Sequence, residues 1–162
     1  MSCLKKKASI LSNRFVLIAF SFFSAACNEP TSNPFTKVQL LASNGSWTMK
    51  DYLVTKSDGS ILQKLSDLDA CQQDDVWIFV ADGTLTVTEG VTECSPPKPS
   101  QNNFWLFNLD ETRLFISDAG SLQGVRWKIE ELSLIRLRIS KEDFFADPTP
   151  EIRTTTLTFS KE

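Results

Sequence analysis

Along most of this chain apolar and polar residues alternate with a period of two, the mark of strands with one buried face. "GVRWKIEEL" sets Val125, Trp127 and Ile129 against Arg126, Lys128 and Glu130. "LIRLRIS" repeats the rhythm, with Leu137 and Ile139 against Arg136 and Arg138. "RTTTLTFS" surrounds Leu157 and Phe159 with threonines, whose β-branched side chains suit a pleated surface. "NFWLFNL" and "RLFIS" flank "DET" as a hairpin, and "SWTMKDYLV" opens the series. The pattern predicts eight strands, near residues 46–54, 76–81, 84–89, 104–109, 113–118, 124–131, 134–140 and 153–160. "TKVQLLAS" predicts a short helical turn ahead of the first.

The sharpest local signal is "VWIFVADGTLTVTEG". Asp82-Gly83 predicts a two-residue type I′ hairpin, because that turn needs positive φ at both central residues. In this register Val80 faces Leu85 and Ile78 faces Val87. Extending the ladder brings Cys71 opposite Cys94, which predicts a Cys71–Cys94 disulfide. Trp77 and Phe79 fall on the face away from Leu85 and Val87. If the latter point inward, the two aromatics form an outward partner surface, unless residues 55–72 cover them. Both faces of this strand are apolar, so the opposite facing stays open.

Eight short strands in succession predict an all-β fold, an eight-stranded antiparallel up-and-down barrel. Closure removes exposed strand edges, and short links favour pairing between sequence neighbours. A two-sheet sandwich is the competing architecture.

The first 37 residues follow a different pattern. Basic "KKK" and Arg14 precede apolar "FVLIAFSFF", and small residues lead to Cys27. That order reads as a secretory signal. A short transmembrane anchor or a buried helix is the alternative. "SAAC" resembles the lipobox of bacterial lipoproteins, with Ser24 in place of the usual leucine-like residue. The resemblance implies that residues 1–26 are removed and that Cys27 carries lipid. It also implies an exported protein anchored in the outer membrane of a Gram-negative bacterium. Ordinary cleavage after an A-x-A-like site is the competing reading. "NEPTSNPF" is polar with two prolines, so residues 27–37 read as a tether and residues 38–162 as the folded domain.

Charge and composition narrow the function. The formal net charge of −3 becomes −7 once Lys5, Lys6, Lys7 and Arg14 are removed. An acidic body offers no electrostatic footprint for nucleic acid. The chain has no histidine, which excludes Ser-His-Asp and Cys-His catalytic units. No catalytic residue and no cofactor is expected. Asp67, Asp69, Asp74 and Asp75 lie close in sequence, but their spacing matches no calcium loop. They read as a solvated connection, and no metal site is expected. Residues 93–103 read as a solvated Pro-rich loop.

"GSW", Gly45 to Trp47, resembles the Gly-x-Trp signature of lipocalins at the start of their first strand. Together with "CQQDDVWIFVADGTLTVTEGVTEC", Trp105, "IEELSLIRLRIS" and the terminal "LTF", it resembles the lipocalin-like domain of bacterial lipoproteins. The resemblance implies that Trp47 plugs one end of a small barrel. It further implies a basic residue of the last strand, here Arg153, packed over it. Trp47, Met49, Trp105, Phe107, Trp127 and Ile129 are the candidate lining of the interior. Either they surround a small apolar ligand, or they fill the barrel of an accessory or interaction protein whose protein partner the sequence does not specify.

Overall fold

The computed structural model describes residues 35–43, 45–119, 121, 123–146 and 150–162. The expected signal segment, Cys27 and most of the expected tether lie outside the described residues.

The alternating segments become strands: β1 (Trp47–Lys56), β2 (Ile61–Lys64), β3 (Val76–Phe79), β4 (Thr84–Thr88), β5 (Gln101–Phe107), β6 (Arg113–Asp118), β7 (Gly124–Leu132), β8 (Arg136–Phe145) and β9 (Glu151–Lys161). All pairings are antiparallel, and β1 pairs with β9 as well as β3. Eight strands therefore close into a barrel. β2 is an extra strand, joined to the far half of β1 through Leu53–Lys64 and Val54–Gln63. β2 falls within residues 55–72, the segment expected as a cover. Two short 3-10 turns, Leu65–Asp67 and Ala70–Gln72, follow it.

One end of the barrel is closed. A short helix, α1 (Lys37–Ala42), is capped by Thr36, whose Oγ1 accepts from the Gln39 amide. It includes Lys37, the last residue of the expected tether. α1 buries Leu40 and Leu41 against this end. Leu41 offers its carbonyl to Trp47 Nε1 at 2.9 Å. Trp47 is fully buried. Gly45 precedes it with φ +141°, a conformation that a side chain rarely tolerates.

The cation over Trp47 is Lys161, whose Nζ lies 4.8 Å from the ring, and not Arg153. The β1–β9 register explains the correction. It pairs Trp47 with Lys161 and sends Arg153 to the opposite end, beside Lys56. There Arg153 sits 4.1 Å from the Phe145 ring. Burial lowers the Lys161 pKa, while its ammonium donates to the Leu40 carbonyl at 3.1 Å and to Ser43 Oγ.

The first hairpin is shifted by one residue from the expected register. Trp77 pairs with Val87 and Phe79 with Leu85. Gly83 donates to the Val80 carbonyl at 3.0 Å, and Val80 donates to the Thr84 carbonyl at 2.8 Å. Gly83 has φ +94°, and among the described non-glycine residues only Glu111 has positive φ. The turn is thus a three-residue loop with a left-handed glycine, not type I′. A one-residue slip exchanges the faces of a strand. Trp77 and Phe79 accordingly point inward, and the outward partner surface expected from them is absent. Ile78 is exposed on that strand, as is Val80 just past its end.

The Cys71–Cys94 disulfide is present, with Cα atoms 5.1 Å apart. It lies beyond the ladder, whose last pair is Val76–Thr88. It joins the turn before β3 to the loop after β4, at the end opposite α1.

Candidate functional site

Aromatic rings fill the closed half of the barrel. Phe159 lies 4.9 Å from Trp77, Phe79 lies 5.7 Å from Trp105, and Trp105 lies 5.5 Å from Phe107. Trp105 Nε1 donates to the carbonyls of Val80 and Thr84, both at 3.0 Å. A buried indole N–H requires such partners, and these tie β5 to the hairpin loop.

The other half is hollow. A cavity of about 740 Å³ occupies the end toward which β3, β5 and β7 begin. Its floor and walls include buried Leu85, Leu157, Met49 and Trp127, with Trp77, Val87 and Tyr52 beside them. Its polar positions include Gln72, Asp75, Gln101, Asn103, Asp118 and Lys141. Apolar side chains surrounding a cavity with a few polar groups are the usual composition of a small-molecule site.

Of the six candidate lining residues, Met49 and Trp127 border the cavity. Trp47 and Trp105 are buried in the closed-half core, against which Phe107 and Ile129 pack. Met49 and Trp127 also belong to the core cluster, so they lie where the packed core meets the hollow. Trp77 joins the cavity wall, whereas Phe79 is core.

Several lining residues escaped the sequence reading. Tyr52 lines the cavity because β1 changes register between Met49 and Asp51. Strict alternation from Met49 would have sent Asp51 inward. The bulge leaves Lys50 exposed and turns Tyr52 in, where its hydroxyl lies 3.1 Å from Gln63 Oε1. Leu68 and Gln72 reach the cavity from the segment after β2, which the disulfide fastens to the loop after β4. Thr155 and Leu157 follow the period of β9 and were legible in it.

Three acids of the expected solvated connection have structural partners. Asp67 accepts from the Lys64 amide at 2.9 Å, Asp74 accepts from the Thr92 amide at 2.9 Å, and the Asp69 amide donates to Gln72 Oε1 at 3.3 Å. Asp75 instead faces the cavity, and burial raises its pKa against the opposing pull of Lys98. Among the described residues no group of three or more histidine, cysteine or acidic side chains could hold a metal ion. In the Pro-rich segment, residues 101–103 belong to β5 and not to a loop.

No protein-family model matches the chain, and no curated protein matches it.

Proposed function

We propose that this chain is a lipid-anchored, lipocalin-like binding protein that holds a small, largely apolar ligand in the open half of its barrel. The observation that carries the reading is the cavity of about 740 Å³, walled by Trp77, Trp127, Leu85 and Leu157. A volume in the range of roughly 300–1,000 Å³ is typical of small-molecule pockets. The alternative, a filled-barrel accessory protein, lacks this support because the aromatic packing stops halfway along the barrel.

Lipocalin likeness rests on Gly45, the buried Trp47 and the Lys161 ammonium above it. The location rests on the sequence: a basic, apolar and small-residue order ending at Cys27 supports export and attachment at the outer membrane. Lipid on Cys27 would bind the membrane stably only with more than one acyl chain.

Native mass spectrometry of the protein released from its own cells tests the binding role. A small molecule bound one to one is the expected result, whereas the bare chain or a protein complex alone would count against it. Labelling with a fatty-acid analogue tests the anchor: the wild type is expected to incorporate it and Cys27→Ala to lose it. Equal incorporation would remove the basis for the anchor.

A further inference from the structure

From the charge around the cavity we infer that its preferred ligand is a cationic amphiphile, an amine on an apolar body. The inference rests on the binding role proposed above and adds the chemistry of the polar end.

The chain carries no lysine or arginine between Lys64 and Lys98. The same stretch supplies Asp74 and Asp75 just before β3 and Glu89 and Glu93 just after β4, at the open end, with Asp67 and Asp69 in the segment ahead of them, whereas Asp82 lies in the β3–β4 loop at the α1 end. Two carboxylates line the cavity itself, Asp75 on β3's side and Asp118 at the end of β6. Neither forms a salt bridge among the described residues.

The cations near this end are outnumbered by these acids rather than matched to them. Lys141, the one lysine lining the cavity among the described residues, pairs with Asp143 at 2.8 Å. Lys56 and Arg153 share Glu151. Lys98 acts on Asp75 through space without closing an ion pair, and Lys64 lies on the edge strand.

A half-buried carboxylate with no cation in contact has lost water without regaining a partner. A ligand ammonium reaching Asp75 would restore that interaction. The Trp127 ring already carries the Lys141 ammonium, 5.6 Å from its centroid, which leaves Trp77 and Tyr52 as the aromatic side chains of the wall that could attract a ligand cation. An anionic ligand would meet the same carboxylates as repulsion, and the acidic mouth would slow its approach.

Three ligands with one ten-carbon tail separate charge from apolar fit: decylamine, decanol and decanoate, titrated calorimetrically into the purified full-length chain. Decylamine is expected to bind about tenfold more tightly than decanol, a step worth about 1.4 kcal/mol, and decanoate more weakly than either. In Asp75→Asn/Asp118→Asn the amine-to-alcohol ratio is expected to collapse to about twofold or less, a residual of about 0.4 kcal/mol, because the carboxylates that favour the amine are gone. Asp118→Asn alone, at an exposed strand end, gives the same direction if the double variant folds poorly. Decanoate binding as tightly as decylamine, or a ratio unchanged by the substitutions, would overturn the charge preference and leave the binding role standing. Failure of all three ligands to bind would overturn both.

Discussion

Single residues decide how the closed end is sealed. Trp47 is held by the Leu41 carbonyl, the Lys161 ammonium and the core around it. Replacing it with alanine should cost about 3–5 kcal/mol, the range for a buried aromatic, measured by urea unfolding. A loss below about 1 kcal/mol would mean that α1 and Lys161 seal the barrel without it. The Gly-x-Trp triplet made Trp47 legible, but its cation was not. Which basic residue reaches the indole depends on the β1–β9 register, and local sequence does not carry it.

Glu130 is the residue from which a pH effect follows. Ser140 Oγ donates to its carboxylate at 2.7 Å, and this bond, assisted by Lys128, holds the pKa below the ordinary value of 4.5. The unfolded chain therefore takes up the proton more readily than the folded one. The stabilisation is complete above pH 4.5 and is lost as pH falls through the lower folded value. Thermal unfolding from pH 7 to 3 should show a smaller decline in Glu130→Gln than in the wild type. Parallel declines would show that this carboxylate does not contribute.

At the scale of elements, the β3–β4 hairpin and the disulfide control the site. Gly83 occupies the left-handed position of the loop, and a Cβ there would lie 2.8 Å from the Phe104 ring. Gly83→Ala should destabilise by about 1–3 kcal/mol through backbone strain, read from the urea midpoint. An unchanged midpoint would argue that the loop can adopt another turn. The Cys71→Ser/Cys94→Ser double variant should lose about 2–4 kcal/mol. It should also loosen Leu68 and Gln72 over the cavity, visible as faster amide exchange in residues 65–75. Exchange confined to the loop after β4 would contradict a role for the bridge in holding the cover.

These elements also show why the sequence could be read only so far. Asp82-Gly83 fits both a two-residue turn and a three-residue loop, and the two differ by one residue of register. Normally the buried face would arbitrate, but Val76, Ile78 and Val80 are as apolar as Trp77 and Phe79. The cysteine pair survived the slip because it lies beyond the ladder. β2 was missed because "ILQK" is four residues long and has no apolar alternation of its own. Its place comes from pairing with an exposed edge of β1.

At the scale of the whole molecule, the eight barrel strands and their sequential order were legible, because β-period segments follow one another with short links. Cavity volume was not. It depends on how far along each strand the large side chains sit, and on the bulge that turns Tyr52 inward. The result is a barrel whose aromatic packing fills one half and leaves the other hollow. Val87 lies on the cavity wall, so Val87→Trp should occupy the hollow from within. The most direct measurement is a calorimetric titration of wild type and Val87→Trp with decanol, both checked for native circular dichroism. The wild type should saturate at one ligand per chain, and the filled variant should lose at least about tenfold in affinity, a difference of about 1.4 kcal/mol. Equal binding by both, or none by the wild type, would contradict a ligand site inside the barrel.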